Sequence, residues 1–174
     1  MKNLLCSLIA VILISCQPSQ QKKIEQSNEP TVIGYEFNDE GKKLNIIAGD
    51  VAMTDIYLEY IQAHNEKDLT KISEIDMDDI VVRVANGSLI NGSDSHAEQL
   101  KIWFNASNPS WKVKFMVANT VQGNDGKNQT WLTTGVDVVQ LLDGNNVTSH
   151  HIVDLNFVDG KVKELIVYDR AGKE

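Results

Sequence analysis

The C-terminal part of the sequence constrains the fold most, because two Asp-Gly pairs divide it into three long alternating segments. The segments run from Gln129 to Leu142, from Val147 to Val158 and from Lys161 to Tyr168. They are rich in β-branched residues, and the pairs Asp143-Gly144 and Asp159-Gly160 lie between them. Asp-Gly between such segments is a strong signal for tight β-hairpins. The sequence therefore predicts an antiparallel meander whose apolar face needs a cover.

The segments before the meander are predicted to supply that cover as helices. Apolar residues spaced by three or four predict a first helix over residues 50–64 with Asp50 as its N-cap. A short second helix is predicted over Leu69–Ile75. Ser95 and Glu98 have the spacing of a capping box, which predicts that a third helix begins there.

Two further strands are predicted at Ile80–Val84 and Trp111–Ala118, and a turn at Asn124–Lys127 connects the latter to the meander. Residues 31–47 are either a small hairpin or an extended tether. Helices followed by strands favour an α+β fold. We expect a curved antiparallel sheet that is covered by about three helices.

The N-terminus has the features of an export signal. Met1-Lys2-Asn3 is followed by an apolar run from Leu4 to Ile14, which is shorter than the ~20 residues of a spanning helix. Leu13-Ile14-Ser15-Cys16 resembles the bacterial lipobox, which implies cleavage before Cys16 and lipidation of that cysteine. The alternative is an ordinary signal peptide with a chance cysteine. We expect a signal over 1–15, a lipidated cysteine and tether over 16–48, and one domain over 49–174.

Cysteine count and charge bear on location and partners. Cys6 would be removed with the signal and Cys16 would carry lipid, so the mature domain is expected to have no disulfide and no cysteine metal ligand. The formal net charge of −8 disfavours nucleic acid as a partner. We expect an envelope protein held at a membrane, the outer membrane in our interpretation, through lipid on Cys16.

Three segments together resemble the nuclear transport factor 2-like, or SnoaL-like, superfamily. The first is Tyr60-Ile-Gln-Ala-His-Asn-Glu-Lys-Asp-Leu69, which resembles the end of the family's first helix. The second is Met77-Asp78-Asp79-Ile80-Val-Val, followed by Gly87 and Gly92. The third is Leu155-Asn-Phe-Val-Asp-Gly-Lys-Val162, which resembles the closing hairpin. The resemblance implies a cone-shaped fold with a cavity, in a superfamily that includes isomerases, dehydratases, polyketide cyclases and ligand binders.

The ketosteroid-isomerase branch of that superfamily uses a tyrosine and two acids. The resemblance places Tyr60 at the tyrosine position, a catalytic base near Val84 and a second acid near Val153. Both acid positions are aliphatic here, which argues against that mechanism. An ordinary core tyrosine is the alternative interpretation of Tyr60.

Strand alternation gives further candidates for the pocket. If Val153 faces the cavity, His151 also does, and His150 faces outward, so the adjacent histidines cannot share a metal ion. The face of Asp137 depends on one residue of register. The predicted pocket residues are Tyr60, Val84, Trp103, Trp131, His151 and Val153.

Three functions are compatible with these residues, and the sequence favours them in the order given. The first is a cavity that binds a small apolar or amphipathic ligand without catalysis. The second is an enzyme of the isomerase, dehydratase or cyclase type that uses His151 with Tyr60 or Asp137. The third is an interaction module that forms a homodimer through the outer sheet face. The sequence has no Gly-rich phosphate loop or zinc-binding His-Glu-x-x-His motif, and no cofactor or metal is predicted.

Overall fold

The computed structural model describes residues 30–122 and 126–172. Within these ranges the chain forms three helices and eight strands. The helices are α1 (Ala52–Glu66), α2 (Leu69–Ile75) and α3 (Ser93–Ser107). The strands are β1 (Val32–Phe37), β2 (Lys43–Ala48), β3 (Asp76–Arg83), β4 (Leu89–Asn91), β5 (Ser110–Gln122), β6 (Asn128–Leu142), β7 (Asn145–Val158) and β8 (Lys161–Ala171).

The strands form one sheet in the order β1-β2-β5-β6-β7-β8-β3-β4. All neighbours are antiparallel except β3 and β8, which are parallel. The predicted α+β fold, with a curved sheet and three helices, is therefore confirmed, and the sheet is mixed because of that one pair. The core lies between the helices and the inner sheet face, where Leu132, Val136, Leu155 and Val162 are almost fully buried.

The two Asp-Gly pairs form the predicted hairpin turns. Asp143 and Gly144 both have positive φ angles, 51° and 80°, and Asp159 and Gly160 have 51° and 76°. Positive φ at both central residues is the requirement of the type I′ turn, whose twist matches that of the flanking strands. The turns thus set the register that places alternate residues of β6, β7 and β8 inside or outside.

The helix ends differ from the predictions in two places. The N-cap of α1 is Val51, and the Asp50 carboxylate accepts a hydrogen bond from the backbone N–H of Ala52 at 2.9 Å. The predicted capping box of Ser95 is wrong, since α3 begins at Ser93 after Gly92, which has a φ of 87°. The helix starts earlier because glycine allows the backbone to turn there.

Of the two alternatives for residues 31–47, a hairpin or a tether, the structure has the hairpin. β1 pairs with β2, and β2 pairs with β5 through Ile46, Ile47 and Ala48. The sheet therefore begins at Val32, so this stretch is not a tether. The predicted signal, Cys16 and residues 124–125 of the predicted turn lie outside the described residues. No helix within residues 30–122 and 126–172 is long and apolar enough to cross a membrane.

Candidate active site

A cavity of about 760 Å³ lies between α1, α3 and the inner face of the sheet. Its volume is in the range of ordinary small-molecule pockets. Most of its wall is apolar, with Val82, Leu100, Val136 and Leu165 among the lining residues. Exposed lining residues mark its mouth, and among these are Ala85, Asn86, Ser88, Leu142, Val147 and Asp169.

A buried carboxylate network reaches this cavity. Asp76 is fully buried at the junction of α2 and β3. Its Oδ1 accepts a hydrogen bond from the Tyr60 hydroxyl at 2.6 Å, and its Oδ2 is 2.8 Å from Nδ1 of His96. Tyr60 and His96 both line the cavity. A buried carboxylate is costly unless such partners satisfy its oxygens, and here each oxygen has one.

The network keeps Tyr60 protonated. Burial, followed by the charge of Asp76, raises the pKa of Tyr60 well above its usual value. The hydroxyl is therefore a donor, and its proton points to Asp76. With Nδ1 of His96 also directed at the carboxylate, Nε2 is the ring atom through which His96 can act on a ligand.

His64 adds a second imidazole beside this network. Its Nδ1 donates to the backbone carbonyl of Tyr60 at 2.8 Å, and its ring packs edge-on against the Tyr60 and Trp111 rings. Burial, reinforced by His96 and Lys67 and opposed by the Tyr60 carbonyl, lowers the pKa of His64 to about 3. His64 is therefore neutral at neutral pH, and its Nε2 is a hydrogen-bond acceptor.

This arrangement can carry out proton transfer. An aspartate that accepts a hydrogen bond from Nδ1 of a histidine fixes the tautomer with a lone pair on Nε2 and stabilises the imidazolium that forms. The Tyr60 hydroxyl holds the other carboxylate oxygen. The cavity thus combines a positioned base, a neutral imidazole acceptor and an apolar wall.

Most of the residues that the sequence singled out lie at this cavity. Tyr60, Val84, Trp103, His151 and Val153 all line it. The indole N–H of Trp103 also donates to Oε1 of Gln140 at 2.9 Å. Val84 and Val153 are aliphatic as expected, but the acid of the site is Asp76, at a different position from both.

Trp131 does not line the pocket, contrary to the sequence-based prediction, and neither does Asp137, whose face the sequence left open. In β6 the buried residues Leu132, Thr134, Val136 and Val138 face inward, so odd-numbered residues face the opposite side. Asp137 therefore binds His150 at 2.7 Å and Lys114 at 3.2 Å on the outer face. Hydrogen bonds from these two residues lower the pKa of Asp137.

Sequence reasoning missed Asp76, His96 and His64, although two of them left a signal. His64 continues the apolar stripe of α1, so it is a polar residue at a buried position. His96 lies four residues before Leu100 on the buried stripe of α3, a spacing that the helix predicted from Ser95 also contained. Asp76 precedes Asp78 and Asp79, and nothing in the sequence separates the buried acid from the exposed pair.

The described residues contain no group of three or more His, Cys, Asp or Glu side chains that could hold a metal ion. His150 and His151 lie on opposite sides of β7, with His151 at the cavity and His150 bonded to Asp137.

Known proteins resemble the chain in structure and not in sequence. No family model matches the sequence, and no curated protein matches it. An LEH-like epoxide hydrolase from M. tuberculosis superposes with a TM-score of 0.56 at 16% identity, over 68% of this chain and 82% of that one. The epoxide hydrolase/cyclase-like enzyme SalBIII has a role in pyran ring formation in salinomycin. It superposes with a TM-score of 0.57 at 15% identity, over 68% of this chain and 91% of that one.

A third neighbour is a candidate ketosteroid isomerase from Kribbella flavida, with a TM-score of 0.54 at 13% identity, over 70% of this chain and 80% of that one. These similarities establish that the chain has the nuclear transport factor 2-like, SnoaL-like fold. Its structural neighbours include enzymes of that fold. At such identities the likeness shows the fold alone, and function must be argued from the site.

Proposed function

We propose that the protein is a general acid–base enzyme of the isomerase, dehydratase or cyclase type, acting on a small and largely apolar molecule. The observation that carries this proposal is the fully buried carboxylate of Asp76, bonded to Tyr60 and His96 at the wall of a 760 Å³ cavity. Buried ion networks with perturbed pKa values in a cleft are typical of catalytic sites.

The roles follow from the hydrogen-bond directions. Nε2 of His96 takes a proton from the ligand, and Asp76 stabilises the imidazolium through Nδ1. The neutral His64 accepts a hydrogen bond from a hydroxyl of the ligand, since its own Nδ1 is bound to the Tyr60 carbonyl. Tyr60 is a positioning residue, because its hydroxyl is bonded to Asp76.

The step balances without a cofactor. His96 removes a proton from a carbon next to a carbonyl, and the electron pair moves onto the carbonyl oxygen. Return of the proton to another carbon completes an isomerisation, and departure of a neighbouring hydroxyl with the proton, as water, completes an elimination. An apolar cavity strengthens such electrostatic effects because it excludes water.

Noncatalytic ligand binding is the simpler alternative that the sequence favoured. The sequence favours it because the aliphatic residues Val84 and Val153 stand where the ketosteroid-isomerase pattern has catalytic acids. Asp76 weakens that argument because it supplies a carboxylate to Tyr60 from a different strand position. A pure binding cavity has no need of a buried acid, which costs stability to desolvate.

The test uses a ketone with acidic protons, beta-tetralone, in deuterated buffer. Loss of the proton signal next to the carbonyl is followed by NMR with wild-type protein and with His96→Gln. We expect the wild type to accelerate exchange above buffer and His96→Gln to lose at least about a hundredfold of that acceleration. Binding of beta-tetralone without accelerated exchange would instead support the noncatalytic alternative.

We also propose that the chain is an envelope protein anchored through lipid on Cys16. The support is the tetrapeptide Leu13-Ile14-Ser15-Cys16 after an apolar run, with the first described strand beginning at Val32. Metabolic labelling of the full chain with an alkyne-bearing fatty acid in a bacterial host tests this proposal. Label that persists in Cys16→Ala would contradict it.

A homodimer through the outer sheet face is a second proposed property. Phe115, Gly135, Ile152 and Tyr168 are directly opposed across β5, β6, β7 and β8. The Phe115, Ile152 and Tyr168 side chains are 47%, 40% and 59% exposed, and an apolar row of this kind is typical of interaction surfaces. Sedimentation at rising concentration should show a dimer that Ile152→Lys dissociates, and a purely monomeric wild type would contradict the proposal.

A further inference from the structure

A second polar cluster lines the same cavity on the sheet side. It consists of Ser149 and His151 on β7 and Asp169 on β8. Ser149 Oγ lies 2.8 Å from Nε2 of His151, and Asp169 is directly opposite His151 in the β7–β8 ladder. Burial lowers the pKa of His151, and the nearby charge of Asp169 opposes that shift. The imidazole therefore remains largely neutral at neutral pH and can both donate and accept a hydrogen bond.

This cluster is separate from the Asp76 network. Within the described part of the chain, no hydrogen bond joins Ser149 or His151 to Tyr60, Asp76 or His96. The inward neighbours of His151 on β6 and β7 are Val136 and Val153, which are apolar. The cavity therefore has one polar group of residues on the helix side, one on the sheet side and an apolar wall.

The serine and histidine do not form a second nucleophilic centre. Ser149 lies within β7, with its backbone between Val138 of β6 and Ala171 of β8. A serine nucleophile needs backbone N–H groups directed at the developing oxyanion, and a residue inside a paired strand offers its N–H to the ladder instead. Ser149 and His151 are therefore suited to binding a polar group.

We propose that Ser149 and His151 bind a hydroxyl or carbonyl group at the end of the ligand remote from His96, so that the substrate class is an uncharged molecule with two polar ends and an apolar body. Asp169 at the cavity mouth disfavours a carboxylate at that end. The assignment of the reacting end rests on the proposed function. The binding of the second polar end rests on the Ser149–His151 contact alone.

A matched pair of probes tests this proposal. Beta-tetralone has one polar end, and its derivative with a hydroxyl on the aromatic ring, remote from the ketone, has two. We expect the hydroxylated probe to bind wild-type protein about three- to tenfold more tightly in calorimetric titration, as one added hydrogen bond predicts. Ser149→Ala and His151→Phe should each reduce that preference to within twofold.

His150→Phe is the control, because it changes the adjacent residue on the outer face and should keep the preference. Equal binding of both probes to wild type, or a preference that survives Ser149→Ala and His151→Phe, would overturn the proposal. Circular dichroism verifies folding, and the small Ser149→Ala change keeps the test valid if His151→Phe does not fold. Failure of the proposed enzyme would show as no proton exchange on either probe, while the binding preference would persist.

Discussion

The molecule contains two histidine–aspartate pairs that have nearly the same geometry and different surroundings. In the inner pair, Nδ1 of His96 is 2.8 Å from Asp76, and the side chains are 5% and 0% exposed. In the outer pair, Nδ1 of His150 is 2.7 Å from Asp137, and the side chains are 41% and 22% exposed. The contact distance therefore does not distinguish the two pairs, and burial does.

The surroundings decide what each pair can do. Asp137 also binds Lys114 and is in contact with solvent, so its charge is screened and shared. Among the residues that the structure describes, the Asp76 carboxylate is bonded to Tyr60 and His96, and both of these line the cavity. The same two residue types thus form a surface ion pair on one face of the sheet and a candidate proton-transfer site on the other.

The largest expected difference between the pairs is in stability. His96→Leu leaves a buried carboxylate with one partner, so we expect a loss of about 3–5 kcal/mol in the free energy of unfolding, measured by urea denaturation at neutral pH. His150→Leu removes a half-exposed contact and should cost about 0–1 kcal/mol. Equal losses in the two variants would contradict the assigned difference.

The pH dependence of the free energy of unfolding should show that the imidazole of His64 is neutral in the folded protein. Its folded pKa of about 3 is below the ordinary 6.5, so the unfolded chain binds this proton more readily. The stability that depends on a neutral His64 is fully present above about pH 6.5 and is lost as pH falls towards 3, by roughly 5 kcal/mol at most. His64→Phe should therefore lose less stability than wild type between pH 7 and pH 4. Parallel curves for His64→Phe and wild type would exclude a depressed pKa.

Removal of the Tyr60 hydroxyl should have a smaller effect. Tyr60→Phe deletes a hydrogen bond to a buried carboxylate, worth roughly 1.5–3 kcal/mol. Tyr57→Phe is the matched control, since Tyr57 is equally buried and its polar neighbour is the neutral Thr134, so a loss of about 0.5–1.5 kcal/mol is expected. A larger loss in Tyr57→Phe than in Tyr60→Phe would argue that Asp76 gains little from the tyrosine.

The smallest effect should come from the outer carboxylate. Asp137→Asn weakens its contacts with Lys114 and His150 and should change the free energy of unfolding by about 0–1 kcal/mol. The difference should shrink further at high salt, because these groups are partly solvent-exposed. A salt-independent loss of several kcal/mol in Asp137→Asn would contradict the difference in stability between the inner and outer histidine–aspartate pairs.

The sequence specified the fold well because its signals are local. Asp-Gly turns, alternation and three-to-four spacing are each set by a few adjacent residues, and they predicted the meander and the helices that cover it. The hairpin over Val32–Ala48 was ambiguous because its stability comes from pairing with β5, more than 70 residues away in the chain.

The candidate site was harder to predict because its contacts join distant elements. Asp76 meets Tyr60 and His96 across separations of 16 and 20 residues, and these depend on how α1, α2 and α3 pack. The face of Asp137 was ambiguous because a shift of one residue in register moves every side chain of a strand to the opposite face. The geometry of the turn decides the register.

The most direct test of the central claim, that proton transfer is performed by the inner pair, compares Asp76→Asn with Asp137→Asn in the beta-tetralone exchange experiment. We expect Asp76→Asn to lose about a hundred- to ten-thousandfold of the acceleration of proton exchange. Asp137→Asn should remain within twofold of wild type. Full exchange activity in folded Asp76→Asn would contradict the account.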